Sequence, residues 1–178
     1  MAAVAIVVGS GRGVYQDVSA LGDLARGAFV FGVNNMIELY SHPVDHGVSH
    51  HPEKLLRWHA NRIDPRRPGD PGKIVLHTSE SQIDGVRCWP QFRGPGSSSL
   101  LAVRVAVELG FRPVIVAGVP LDASGYLWGD PDLADNFDFA HNRTAWIDAL
   151  GALSGRVFAV SGYLRGLLGV PQQLEAVA

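Results

Sequence analysis

The sequence predicts an α/β domain with a mainly parallel sheet, on three observations. Continuous apolar, β-branched runs that end in glycine recur along the chain, as in Ala3–Val8 (AVAIVV) and Pro113–Ala117 (PVIVA). Runs without polar alternation fit strands buried on both faces, which is the condition of a parallel sheet. Segments with helical spacing separate these runs, and alternation of the two implies right-handed βαβ units. Finally, the 178 residues, 47% hydrophobic and 18% charged, suit one globular domain over residues 1–178. The expected architecture is a single Rossmann-like three-layer domain.

Element by element, Ala3–Val8 leads into the glycine-rich turn Gly9-Ser10-Gly11-Arg12-Gly13. Val18, Leu21, Leu24 and Ala25 then fall on one face of a helix expected over Gln16–Arg26. Ala28–Val33 is a second strand and Val44–Ser49 a third. A helix is expected over Pro52–Arg62, with proline in its first turn. Asp64–Lys73 is a loop by its proline and glycine density, and Lys73–Thr78 is a strand. No element is assigned to residues 79–96. Ser97–Leu109 reads as a buried helix, apolar nearly all round, capped by serine and ended by Gly110. A helix over Asn142–Leu150, a strand over Arg156–Val160 and a closing helix over Tyr163–Leu168 complete the pattern.

Composition narrows the function. A net charge of −2 gives no electrostatic footprint for nucleic acid. Cys88 is the single cysteine, so no disulfide forms within the chain and export to an oxidising compartment is not implied. No apolar run approaches the roughly 18 residues of a membrane span. A cytoplasmic protein with a small-molecule partner is expected.

Ligands of open parallel sheets bind outside the carboxyl ends of the strands, where strand order reverses. That rule gathers the informative residues. Gly9, Ser10 and Gly11 allow close backbone approach to a phosphate or sugar, although Val14 stands where the dinucleotide fingerprint needs its last glycine. Asn34 and Asn35 end the second strand, where paired amides read a base or ribose and where turns also favour Asn. Ser97, Ser98 and Ser99 open the buried helix and offer hydroxyl and N–H groups to an anion. Gly118 and Asp122 follow the strand Pro113–Ala117, and Tyr126 lies in the long loop beyond. Asp45, His46, His50 and His51 form a polar cluster suited to substrate or a divalent metal, but its spacing is not HExxH. His141, expected just before a helix N-terminus, would be held neutral and able to accept a proton.

In this order the motifs resemble the bacterial sialyltransferases that use CMP-sialic acid, and the related superfamily of 6-hydroxymethylpterin diphosphokinase-like proteins. The likeness is strongest over residues 96–169, through GSSSLLAVRVAVELGFRPVIVAGVPLD, FAHNRTAWIDAL and RVFAVSGYLRGLLG. VVGSGRG is similar to the family's strand followed by G-N-G-P-S, with Ser10 in place of the Asn and Arg12 in place of the Pro. The resemblance implies a nucleotide or nucleotide-sugar donor of CMP type, and it puts the catalytic histidine at His141. Two other readings remain open. One is a metal-dependent phosphoryl or pyrophosphoryl transferase using Asp45, the histidines and Asp122. The other is a non-catalytic nucleotide-binding protein of the same fold.

Overall fold

Ala5, Ile6, Val7 and Val8 are all buried, and they form the central strand of a seven-stranded sheet. The fold is that of a computed structural model in which residues 3–62, 74–123, 125, 127 and 138–172 are described. The strands are β1 (Ala5–Val8), β2 (Phe29–Val33), β3 (His46–Val48), β4 (Val75–Thr78), β5 (Val86–Cys88), β6 (Val114–Ala117) and β7 (Val157–Ala159). Their order is β5-β4-β3-β2-β1-β6-β7, and every pairing is parallel. The chain winds outward from β1 to β5, then returns to β1 on its other side. Strand order therefore reverses at β1. Val8 is in register with both Gly32 and Ala117, so three carboxyl ends finish level at that point.

Alternate β1 side chains enter two cores. Ala5 and Val7 meet α4 (Ser98–Glu108), α5 (Phe139–Leu153) and α6 (Gly162–Leu168). Ile6 and Val8 meet α1 (Val14–Ala20), α2 (Met36–Leu39) and α3 (Pro52–Arg62). The result is three layers, helix–sheet–helix. Each Val or Ile fully buried here contributes roughly 1.5–3 kcal/mol of transfer free energy. Among the described residues, no helix is long and apolar enough to cross a membrane.

Several boundaries differ from expectation. The first helix starts earlier, at Val14, and stops at Ala20; Gly22, with φ of +52°, breaks it before a 3₁₀ turn over Gly22–Ala25. Asp138, not His141, opens α5: its carboxylate accepts the His141 N–H at 2.8 Å, so the helix begins at Phe139. Aspartate is the stronger N-cap, which places His141 inside the first turn. The short α2 was not expected, and neither was β5 in the unassigned stretch. The expected loop Asp64–Lys73 lies outside the described residues.

Candidate active site

A cleft of about 280 Å³ opens at the reversal point. Its walls come from the loop after β1 (Gly9–Gly11), the end of β2 (Val33, Asn34), the start of α4 (Ser97–Ser99), the loop after β6 (Gly118–Ala123) and Phe139. Gly9, Ser10, Gly11, Asn34, Ser97, Ser98, Ser99, Gly118 and Asp122 thus meet around one space. Asn35 stands at the N-cap of α2 and is not among the lining residues. Tyr126 lies outside the described residues.

The glycines serve chain-to-chain approach. A Cβ on Gly11 would fall 2.7 Å from the Gly118 carbonyl oxygen, and one on Gly118 would fall 2.6 Å from that of Gly9. The amides of Gly9 and Gly11 donate to the carbonyls of Ala117 and Gly118, at 2.9 and 2.7 Å. Those two N–H groups are therefore spent on joining the β1 and β6 loops. Asp17 locks the junction from behind. Its Oδ2, on a residue only 7% exposed, accepts from the Gly118 N–H at 2.8 Å and from the Ser161 hydroxyl at 2.7 Å. Sequence reading missed this residue. Its signal was an acid in the first turn of a helix that follows a glycine-rich turn.

The serines at α4 do not cap it in the ordinary way, since the Ser97 side chain makes no capping hydrogen bond. Ser97 Oγ and Ser99 Oγ share a 2.5 Å hydrogen bond, and Ser98 Oγ accepts from the His50 N–H at 3.1 Å. The first backbone bonds of α4 run from the Leu100 and Leu101 N–H groups to the Ser97 carbonyl, at 2.9 and 3.2 Å, so the amides of Ser98 and Ser99 precede them at the helix start, a position that suits an anion.

Leu121, in the left-handed region at φ +51°, presents its carbonyl to Arg143, which donates from Nε at 2.9 Å and Nη2 at 2.6 Å. The guanidinium also lies 4.5 Å from the Tyr163 ring centroid. Arg143 is thus engaged in holding the β6 loop to α5. Arg12 is exposed, and its N–H donates to the Gly125 carbonyl at 3.0 Å. His141 is exposed and is not among the lining residues; Phe139, two positions before it, is.

The expected Asp45–His51 cluster is split between the two ends of β3. At about 3.3 Å per strand residue, Asp45 and His50 are separated by roughly 16 Å of chain. At the amino end, Asp45 Oδ2 accepts the Val30 N–H at 2.8 Å. His46 stacks on Phe31 at 4.2 Å, and its Nδ1 lies 2.9 Å from Nε2 of the fully buried His77. The Trp89 indole N–H completes the chain at His77 Nδ1, 3.0 Å away. Indole only donates, so His77 carries its proton on Nε2 and gives it to His46 Nδ1. Burial pushes the His77 pKa down to about 3, helped by His46 and Arg87. At the carboxyl end, His50 Nδ1 lies 2.7 Å from Ser79 Oγ. Its pKa is lowered by burial, while the Glu80 carboxylate pulls the other way. His51 is exposed, with Nδ1 3.7 Å from Glu53. Among the described residues, no group of three or more His, Cys, Asp or Glu side chains is disposed to hold a metal ion.

A parallel sheet whose strand order reverses at β1, with helices on both faces and a cleft at the reversal point, is a three-layer Rossmann-like α/β fold. Among solved structures, the chain is similar to the sialyltransferase CstII from Campylobacter jejuni, solved with the substrate analogue CMP-3FNeuAc. The match has a TM-score of 0.63 at 13% identity, over 96% of this chain and 86% of that one. It is also similar to the MAf glycosyltransferase from Magnetospirillum magneticum AMB-1, with a TM-score of 0.53 and 13% identity, over 99% of this chain but 36% of that one. Neither of these two is a diphosphokinase. No protein-family model matches the sequence, and a search of curated proteins found no significant match.

Proposed function

We propose that this protein is a transferase acting on a nucleotide-activated sugar, a sialyltransferase-like enzyme with a CMP-type donor. One observation carries the reading: the cleft lies at the strand-order reversal of a fold shared, over nearly the whole chain, with a transferase solved around a CMP-sugar analogue. In this reading Ser97–Ser99 and Ser10 hold the phosphate and sugar, and Gly9 and Gly11, whose N–H groups bond to the β6 strand and loop, give the ligand room for close approach. Asn34, with Asn35 behind it, contacts the nucleotide. Gly118, Asp122 and Tyr126 contact the donor. His141, from the first turn of α5, deprotonates the acceptor hydroxyl or steadies the leaving phosphate. The partner is a small molecule, and the one cysteine fits a cytoplasmic location.

A thermal-shift screen of nucleotides and nucleotide sugars tests the donor. A ligand at about 100 times its Kd adds roughly 2.7 kcal/mol to the folded state. Cytidine nucleotides should raise Tm more than uridine or guanosine nucleotides, and no shift with any of them ends the proposal. For catalysis, His141→Ala should lower the single-turnover rate on the order of 10²–10⁴-fold with donor affinity nearly intact.

A second reading, a nucleotide-binding protein without turnover, is favoured by the exposure of His141 and its place outside the cleft lining. It requires nucleotide binding with no transfer or donor hydrolysis, and an unchanged affinity in His141→Ala.

A further inference from the structure

The turn after β3 carries no residue that lines the cleft, yet it reaches two that do. Ser49 is fully buried. Its backbone N–H is fixed to the His77 carbonyl at 3.1 Å, and its hydroxyl oxygen accepts from the His51 N–H at 2.9 Å. A buried hydroxyl must also place its own hydrogen, because an unmet donor costs about as much as a lost hydrogen bond. Asn34 Oδ1, 2.7 Å away, takes it. Asn34 has little freedom to answer by moving. Its backbone is in the left-handed region at φ +54°, and its N–H is tied to the Val48 carbonyl at 3.0 Å.

The amide therefore has one orientation. Its oxygen faces the strand ends, and its NH₂ is the half left for the cleft that Asn34 lines. The next residue acts in the same sense on the opposite wall. The His50 N–H occupies a lone pair of Ser98 Oγ and leaves the Ser98 O–H free to donate. Two walls of the cleft are thus set as donors by groups that do not themselves touch its contents.

We propose that Ser49 is a positioning residue that turns the Asn34 NH₂ into the cleft, so that this wall takes an anionic phosphate oxygen of the ligand. The chemical identity of the oxygen rests on the donor reading above. The orientation of the amide does not.

The test separates the two. In ¹⁵N-labelled protein, the Asn34 side-chain NH₂ signal is assigned by its loss in Asn34→Asp. Ser49→Ala should shift or broaden that signal while the backbone spectrum stays that of the folded protein. Ser49→Thr, which keeps the hydroxyl, should restore it. If Ser49→Ala does not fold, Ser49→Cys, close in volume but a weak donor, should show the same shift. An Asn34 signal unchanged by loss of the hydroxyl overturns the proposal. CMP binding to Ser49→Ala should weaken about tenfold, the scale of one hydrogen bond, with cytidine affinity little altered. CMP binding as tightly to Ser49→Ala as to the unsubstituted chain overturns the proposal and leaves the donor reading standing. If CMP binds neither protein, the donor reading fails, and the Asn34 signal alone decides the role of Ser49: a shift upholds it, and no shift overturns it.

Discussion

Two polar clusters beside the β3–β4 pair use the same kinds of side chain for different ends. Over one face of the sheet, His46 at the start of β3, His77 level with Val48, and Trp89 just past β5 form a chain of hydrogen bonds stacked against Phe31. In the turn past the carboxyl end of β3, Ser49 and His50 also bond to neighbours, but those neighbours are Asn34 and Ser98 of the cleft wall. The difference lies in where each group stands: the first cluster sits over the strands and faces packed side chains, whereas the second sits on a carboxyl-end loop, where ligands of parallel sheets bind. Polar groups over the sheet hold the fold together, and those in the turn past it set the cleft wall.

The strongest way to break this contrast is His77→Ala. It opens a cavity and strands the Trp89 N–H and the His46 ring, so denaturant unfolding should show a loss of about 2–4 kcal/mol. Ligand affinity of the folded fraction should hold, and a large loss of affinity would show that the two clusters are not separable. Asp17→Ala should cost about 1–3 kcal/mol by leaving the Gly118 N–H unmet. Unlike His77→Ala, it should also weaken ligand binding, because Gly118 belongs to the cleft wall; equilibrium titration checks this.

Acid sharpens the comparison further. The folded-state pKa of His77, about 3, lies below the ordinary 6.5, so the unfolded chain binds a proton that the folded one refuses. The stability is fully present above about pH 6.5 and falls as pH drops from there toward 3, by up to about 1.4 kcal/mol per pH unit for a histidine held neutral. His46 and His50, both lowered, add in the same direction. In His77→Phe the slope between pH 6 and 4 should be shallower, and an unchanged slope would rule His77 out as its source. The smallest effect belongs to His51→Ala. The ring is exposed and the Ser49 contact uses the backbone N–H, so stability should stay within about 0.5 kcal/mol.

Much of this was legible in the sequence for definite reasons. β1 and β6 announce themselves because strands buried on both faces need unbroken apolar runs, and α4 because it is buried all round. The residues of the cleft could be gathered because a parallel sheet sends its loops to one edge. What escaped was set by tertiary contact. β5 is a three-residue edge strand in a polar stretch, with no periodicity to read. Asp45, His46, His50 and His51 looked like one cluster because proximity in sequence says nothing of direction; three strand residues carry them to opposite ends. Asp17 and Ser49 are an ordinary helix acid and an ordinary turn serine until their partners, Gly118 and Asn34, are known.

The position of β1 also governs when the cleft comes into being. Ala5 pairs with Phe29 on one side and with Val114, more than a hundred residues away, on the other. Pairings of such long range close slowly, because the loop entropy is lost before the contact is made. During synthesis the strands from β1 to β5 can assemble in chain order, but the wall formed by Gly118–Ala123 arrives only with β6. A nascent chain that stops before Ala117 lacks the wall Gly118–Ala123, so the cleft is a product of the finished sheet and cannot guide the early steps of folding.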